Sequence, residues 1–208
     1  MSSTEKLHSK WRLTQTLFLT GVVLSFLGWL WETIFSFFLR SPNDRGFLLL
    51  PVCPIYGFAL ILVYLLFGTP ADMRLLGHPV FRSKPVLRYL SYFLAAALLS
   101  TAIELVTATF FQSLFGIKLW SYAFLTDSFS EFIALLPSLF WGIAITLFMR
   151  FLFHPLFHAI GKIKPRLLNG LFWGLLALVI ADAVFNFVYL SVNGRHYDIP
   201  LFDKIVMG

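Results

Sequence analysis

The sequence predicts an all-α fold, a polytopic membrane helix bundle of about five transmembrane helices forming one integral membrane domain over 1–208. Its N-terminus is expected in the cytoplasm and its C-terminus outside. Composition is the first observation behind this reading: 59% of residues are hydrophobic, 12% are charged and the mean hydropathy is +0.82, far outside the range of soluble globular chains. The second is a series of apolar runs long enough to cross a bilayer, separated by short polar connections. The third is the placement of Lys and Arg. Of sixteen, eleven fall in the N-terminal segment, the 68–88 connection and the stretch 150–166, and five fall in the alternate connections, an asymmetry that sets orientation. The formal charge of +6 is therefore assigned to topology, and no nucleic acid partner is expected. At 208 residues the chain has no length left for a soluble nucleotide-binding or catalytic domain. Its one cysteine, Cys53, excludes an intramolecular disulfide and any paired-cysteine redox or metal motif.

Taken in order, the run 17–39 follows Lys6, Lys10 and Arg12 and looks at first like a secretory signal. It is too long and lacks a small-residue cleavage site, so it is read as the first transmembrane helix, with Glu32 inside it. The second span is placed at 47–67. It carries Pro51, Cys53, Pro54, Tyr56 and Gly57 near its start, and two prolines three residues apart make its first turns irregular. Irregular backbone at membrane depth has to be buried in protein or line a cavity. The segment NDRGFLLLPVCPIYG at 43–57 is therefore read as the wall of a site, with Arg45 at its lip. A cytoplasmic loop at 68–88 follows, punctuated by Gly and Pro and holding Arg74, Arg82, Lys84 and Arg88. The third span, 89–115, contains Glu104 between Thr101 and Thr107 and ends at Gly116. The aromatic connection 117–130 lies at headgroup level or folds back into the mouth of the bundle. The fourth span, 132–153, is expected to be interrupted at Pro137. The fifth, 167–192, carries Gly170 and Gly174 at the spacing that lets helices approach closely. A helix with a Glu, an aromatic-rich connection and a proline-marked helix occur twice, at 17–67 and 89–153, a pattern that points to transporter sites.

This orientation brings three acids to one depth. Glu32, Glu104 and Asp182 each lie about 10 to 12 Å below the outer end of their helix, at 1.5 Å per residue, and Cys53 falls at nearly the same level. Asn186 and Tyr189 share a face with Asp182. Carboxyls at that depth are costly in lipid, so they are expected to face the bundle interior in a common polar pocket. Their alternative role is structural, as acceptors of interhelical hydrogen bonds. His154 and His158 are spaced for a metal but have no third ligand nearby, so an interfacial position is expected and no metal site is assigned. There is no phosphate loop, HExxH, GxSxG or dinucleotide fingerprint. No cofactor or catalytic residue is assigned, and any ATP hydrolysis is left to a separate subunit.

Gly28 to Glu32, NDRGFLLLPVCPIYGF at 43–58, Glu104 followed by FGIKLWSY at 115–122, and SLFWG at 138–142 together resemble the small bacterial multi-pass membrane proteins grouped as putative ABC-transporter permeases, type IV. The resemblance implies a bacterial cytoplasmic membrane protein and a transport role. It leaves Glu32, Glu104, Trp120 and Tyr122 in place, while Gln112, Ser121 and Ala123 stand where the family's pattern has other polar or acidic residues. The function read from the chain is a permease-like or substrate-binding subunit, with no catalytic residue assigned and an enzymatic role kept as an alternative. Its substrate-binding residues are Glu32, Arg45, Cys53, Tyr56, Glu104, Trp120, Tyr122, Asp182 and Asn186. Its partners are the lipid bilayer and an ATPase subunit docking on the 68–88 loop. The alternatives are an intramembrane enzyme for a lipid-linked substrate, with the carboxyls as general acid and base, and a membrane assembly or regulatory partner.

Overall fold

The computed structural model describes residues 3–39, 47–195 and 197, with the backbone course alone for 3–7 and 35–39. In chain order the elements are α1 (Ser3–Leu39), α2 (Pro54–Phe67), β1 (Gly68–Thr69), β2 (Asp72–Leu75), β3 (His78–Pro79) and α3 (Pro85–Phe115). They continue with β4 (Ser128–Ser130), β5 (Ile133–Ala134), α4 (Leu135–Phe151), α5 (Phe153–Gly161) and α6 (Pro165–Asn193). Three stretches are long and apolar enough to cross a membrane: His8–Ile34, Pro85–Phe115 and Pro165–Asn193. Leu135–Phe151 with Phe153–Gly161 makes a fourth if the bent pair is one span. The chain is a mostly helical membrane protein. Its residues group into two compact units, 1–57 with 160–208 and 58–159.

In the first unit α1 lies against α6. Gln15 Nε2 donates to Asn169 Oδ1 at 2.8 Å, and the Phe18 and Phe172 rings meet edge to face at 4.9 Å. These pairs advance together along both helices, so the two helices run in the same direction. At their N-terminal ends Arg12 Nη2 donates to the Gly161 carbonyl at 2.8 Å, and Trp11 packs on Phe172. The buried side of α1 carries Gln15, Thr16, Leu19, Thr20 and Leu24, the spacing of one helical face. Thr16 and Thr20 donate back to the carbonyls of Arg12 and Thr16, so two buried hydroxyls are satisfied within the helix itself.

In the second unit α3 packs on α4. Gly142 faces Phe93 and Ala97 so closely that a Cβ there would lie 2.8 Å from both side chains. Thr101 Oγ1 donates to Ser138 Oγ at 2.8 Å. The pairs 97 with 142 and 101 with 138 advance in opposite senses, so these helices are antiparallel. Tyr64 stacks against Phe153 at 4.5 Å and Phe157 at 5.7 Å.

The helix drawn from Phe47 begins only at Pro54 and is 14 residues long, about 21 Å against a hydrocarbon core of about 30 Å. Pro54 takes the first helical position, where its missing N–H costs nothing. The connection read as a loop at 68–88 carries three short antiparallel strands, β1-β2-β3, between Gly68 and Pro79, and its last four residues belong to α3, which starts at Pro85. Pro137 does not interrupt α4: it sits in the first turn, where N–H groups have no helical acceptor. The break falls at Leu152, where α4 and α5 meet at 47°, because the ring of Pro155 conflicts with the carbonyl four residues back, at Phe151. Nothing lies within 4 Å of a Cβ built at Gly170 or Gly174, so among the described residues this small-residue stripe packs against no helix. The expectations for Arg45 and for most of the C-terminal tail fall outside the described residues.

Candidate functional site

The segment 47–53 is the one stretch of non-helical backbone between α1 and α2 that is described, and every N–H it carries from Leu49 to Cys53 has an acceptor. Leu49 N–H donates to Asp182 Oδ1 at 3.1 Å and Leu50 N–H to Asp182 Oδ2 at 2.8 Å. Val52 N–H turns back to the Leu50 carbonyl at 2.7 Å, and Cys53 N–H donates to the Ser25 carbonyl of α1 at 2.9 Å. Pro51 and Pro54 carry no N–H. The two prolines thus remove two donors, and a side chain and a carbonyl from flanking helices take three of the rest. Unpaired, each would cost several kcal/mol in hydrocarbon. The Phe47 ring against Phe187 at 4.6 Å and the buried Leu48 hold the start of the segment.

Asp182 is buried, and its carboxylate also accepts from Asn186 Nδ2 at 2.7 Å. The same amide group donates to the Asp182 carbonyl at 2.8 Å. Asn186 is wholly buried, with its Oδ1 unpartnered among the described residues. Asp182 is therefore an acceptor matched to three donors, and it fixes the shape of the segment.

Glu32 forms the second polar cluster of this unit. Tyr56 Oη donates to Glu32 Oε1 at 2.7 Å and Cys53 Sγ lies 3.8 Å from Oε2. The approach of α1 to the start of α2 depends on two glycines. A Cβ at Gly28 would lie 2.4 Å from the Tyr56 ring, and one at Gly57 2.2 Å from the Gly21 carbonyl oxygen. Both distances are far inside contact, so the close approach requires Gly at both positions. The arrangement gathers a carboxyl, a phenol and a thiol where α1 meets the start of α2. It suits hydrogen-bonding or cationic groups more than apolar ones. An apolar groove further along α6, lined by Val184, Phe185, Val188, Tyr189, Val192 and Asn193, includes neither Glu32 nor Asp182.

The expected residues Glu104, Trp120 and Tyr122 belong to the second unit. Glu104 on α3 accepts from the Trp141 indole on α4, and its buried Oε2 has no partner among the described residues. Trp120 Nε1 donates to the Phe132 carbonyl at 3.4 Å, and Tyr122 N–H donates to the Glu131 carbonyl at 2.7 Å. Lys118 pairs with Glu131 at 2.8 Å. The aromatic connection is therefore pinned to the β4-β5 ribbon that leads into α4. His154 and His158 are exposed on α5, and among the described residues no three His, Cys, Asp or Glu side chains gather to hold a metal.

Sequence reasoning missed Trp141, the Thr101 to Ser138 hydroxyl pair and the Ser25 carbonyl. The first two carried a signal: polar or amphipathic residues three apart on both α3 (Thr101, Glu104) and α4 (Ser138, Trp141). A backbone carbonyl carries none.

A sequence profile of the family described as putative ABC-transporter type IV matches residues 19–187. No curated protein and no solved structure matches the chain.

Proposed function

The chain belongs to that family, and on this premise we propose that it is a permease-like or substrate-binding membrane subunit of a transporter in the bacterial cytoplasmic membrane. In this reading it crosses the membrane five times, with the N-terminus in the cytoplasm, the C-terminus outside, and α2 completing its crossing together with the extended segment 47–53. Energy comes from a separate ATPase subunit, since the chain carries no nucleotide-binding motif.

The observation that carries the reading is the pairing of a braced irregular segment with an acidic side chain at its inner face. A membrane anchor needs neither. Here Asp182 and Asn186 act as framework, spending their hydrogen bonds on Leu49 and Leu50. Glu32, Cys53 and Tyr56 form the ligand-facing wall. The parallel run of α1 and α6 favours this placement, because Glu32 and Asp182 then both lie toward the C-terminal ends of helices pointing the same way. Glu104, with one carboxylate oxygen unspent, is a second polar station within the other unit. The ligand class that fits the first wall is a small polar molecule carrying a cationic or hydrogen-bond-donating group, since an acidic wall favours positive charge where water is scarce.

The test is untargeted mass spectrometry of small molecules released from the purified protein and from Glu32→Gln. A polar compound enriched with the wild type and lost from a folded Glu32→Gln supports the reading. No enrichment from membranes that also contain the co-purifying ATPase, or equal enrichment with both proteins, rejects it.

A further inference from the structure

The sheet between α2 and α3 presents side chains that a water-facing turn has no use for. The β2-β3 connection is only two residues, Leu76 and Gly77, both with positive φ, at 50° and 90°. That is the pattern of a type I′ hairpin turn, whose first position favours Asn, Asp or Gly because a branched apolar side chain is strained there. Leu76 occupies it while remaining 71% exposed. Its N–H donates to the Leu66 carbonyl at 3.1 Å, a contact any non-proline residue would make, so the leucine side chain contributes little to the fold in return for its strain. Leu75 beside it is 50% exposed, and Phe81, also at positive φ (52°), is 39% exposed.

Basic groups surround this apolar tip. Arg74 is tied to Asp72 and Arg88 donates to the Pro70 carbonyl at 3.1 Å. Arg82 and Lys84 are exposed and have no ion pair among the described residues. Five residues after β3 the chain enters Pro85, the first residue of a helix of membrane-spanning length, so the sheet joins the end of α2 to the start of that helix.

We propose that residues 72–84 form an interfacial anchor that lies in the headgroup layer and binds anionic phospholipid. Leu75, Leu76 and Phe81 enter the acyl boundary, and Arg82 and Lys84 meet the lipid phosphates. Apolar tips beside unpaired basic groups are the chemistry of a membrane surface. A soluble ATPase docking on the same segment is the competing occupant. The bilayer is favoured because it is already at hand where α3 begins and because it gives the strained, protruding leucine an apolar environment. The inference requires only that the chain be a membrane protein, so it stands or falls separately from the transport role.

The test places p-benzoylphenylalanine at Leu75 in the full chain, irradiates it in nanodiscs of phosphatidylcholine with and without phosphatidylglycerol, and weighs the adducts. Phospholipid adducts are expected, with phosphatidylglycerol over-represented roughly fivefold for each basic contact, as ~1 kcal/mol per residue implies. Reversing Arg82→Glu and Lys84→Glu should return the adducts to the bulk lipid ratio. Leu76→Asn, better suited to the turn, should keep the helical circular dichroism and lower the adduct yield several-fold. Absence of lipid adducts, a yield indifferent to Leu76→Asn, or a protein adduct in native membranes in place of lipid would each overturn the proposal, the last in favour of docking.

Discussion

Asp182 on α6 holds the backbone of Leu50 through an N–H to Oδ2 bond of 2.8 Å, while its Oδ1 takes the N–H of Leu49. One carboxylate therefore shapes the stretch of chain that precedes α2, and its removal should be felt first in stability. Asp182→Asn turns one acceptor into a donor facing an N–H, at an expected cost of about 1 to 3 kcal/mol. The measurement is thermal unfolding in detergent, with Asp182→Glu as a partial rescue. An unchanged midpoint for Asp182→Asn would remove Asp182 from the framework and return it to the set of ligand-facing acids.

Glu32 should behave differently. Its bond to Tyr56 at 2.7 Å links two half-buried groups, and contacting polar pairs couple by about 0.5 to 3 kcal/mol. A double-mutant cycle with Glu32→Gln and Tyr56→Phe should show such coupling in unfolding experiments. Glu32→Gln alone should leave the helical content intact and abolish ligand retention. If Glu32→Gln instead unfolds the protein, its role is structural.

The two glycines at the α1 to α2 approach give a graded pair of outcomes. Gly28→Ala meets a side chain, the Tyr56 ring at 2.4 Å, and overpacking of this kind costs about 1 to 3 kcal/mol. A second change, Tyr56→Ala, should recover part of that loss. Gly57→Ala meets the backbone oxygen of Gly21 at 2.2 Å, so no side-chain substitution should rescue it. Expression level and unfolding midpoint of the single and double variants measure the difference.

Orientation can be read with reporter fusions. A reporter after Asn193 should be active only outside the cytoplasm, and one inserted at the β2-β3 turn only inside it, as the eleven to five division of Lys and Arg requires. Both reporters active on the same side would mean an even number of crossings between the β2-β3 turn and Asn193, contrary to the five-span reading.

Much of this was legible because it rests on local rules. Gly116 and Gly194 each adopt the left-handed cap conformation, φ 70° and 66°, so the ends of α3 and α6 fall within a residue or two of the apolar runs. The disruption before α2 was visible in Pro51 and Pro54. Its extent was not, since Phe47, Leu48, Leu49 and Leu50 are individually good helix residues. They are held out of a helix by Asp182, distant in sequence. Proline position within a helix explains the error at Pro137: identity alone says nothing about whether a carbonyl lies four residues back. Strands of two residues, such as β1 and β3, are too short for alternation to register. The Leu76-Gly77 turn lacks the Asn-Gly signature that would have announced a hairpin.

The bonds from Leu49 and Leu50 to Asp182 span 133 and 132 residues, which imposes a timetable on biosynthesis. At roughly 5 to 20 residues per second the acceptor is made about 7 to 26 seconds after the donors. Throughout that interval two prolines and a run of leucines sit at the membrane without the partner that later fixes them. Water at the translocation site or a chaperoning helix has to occupy those N–H groups meanwhile. α6, made after the other described helices, thus closes the segment 47–53, and a chain stalled before α6 leaves that segment unfinished.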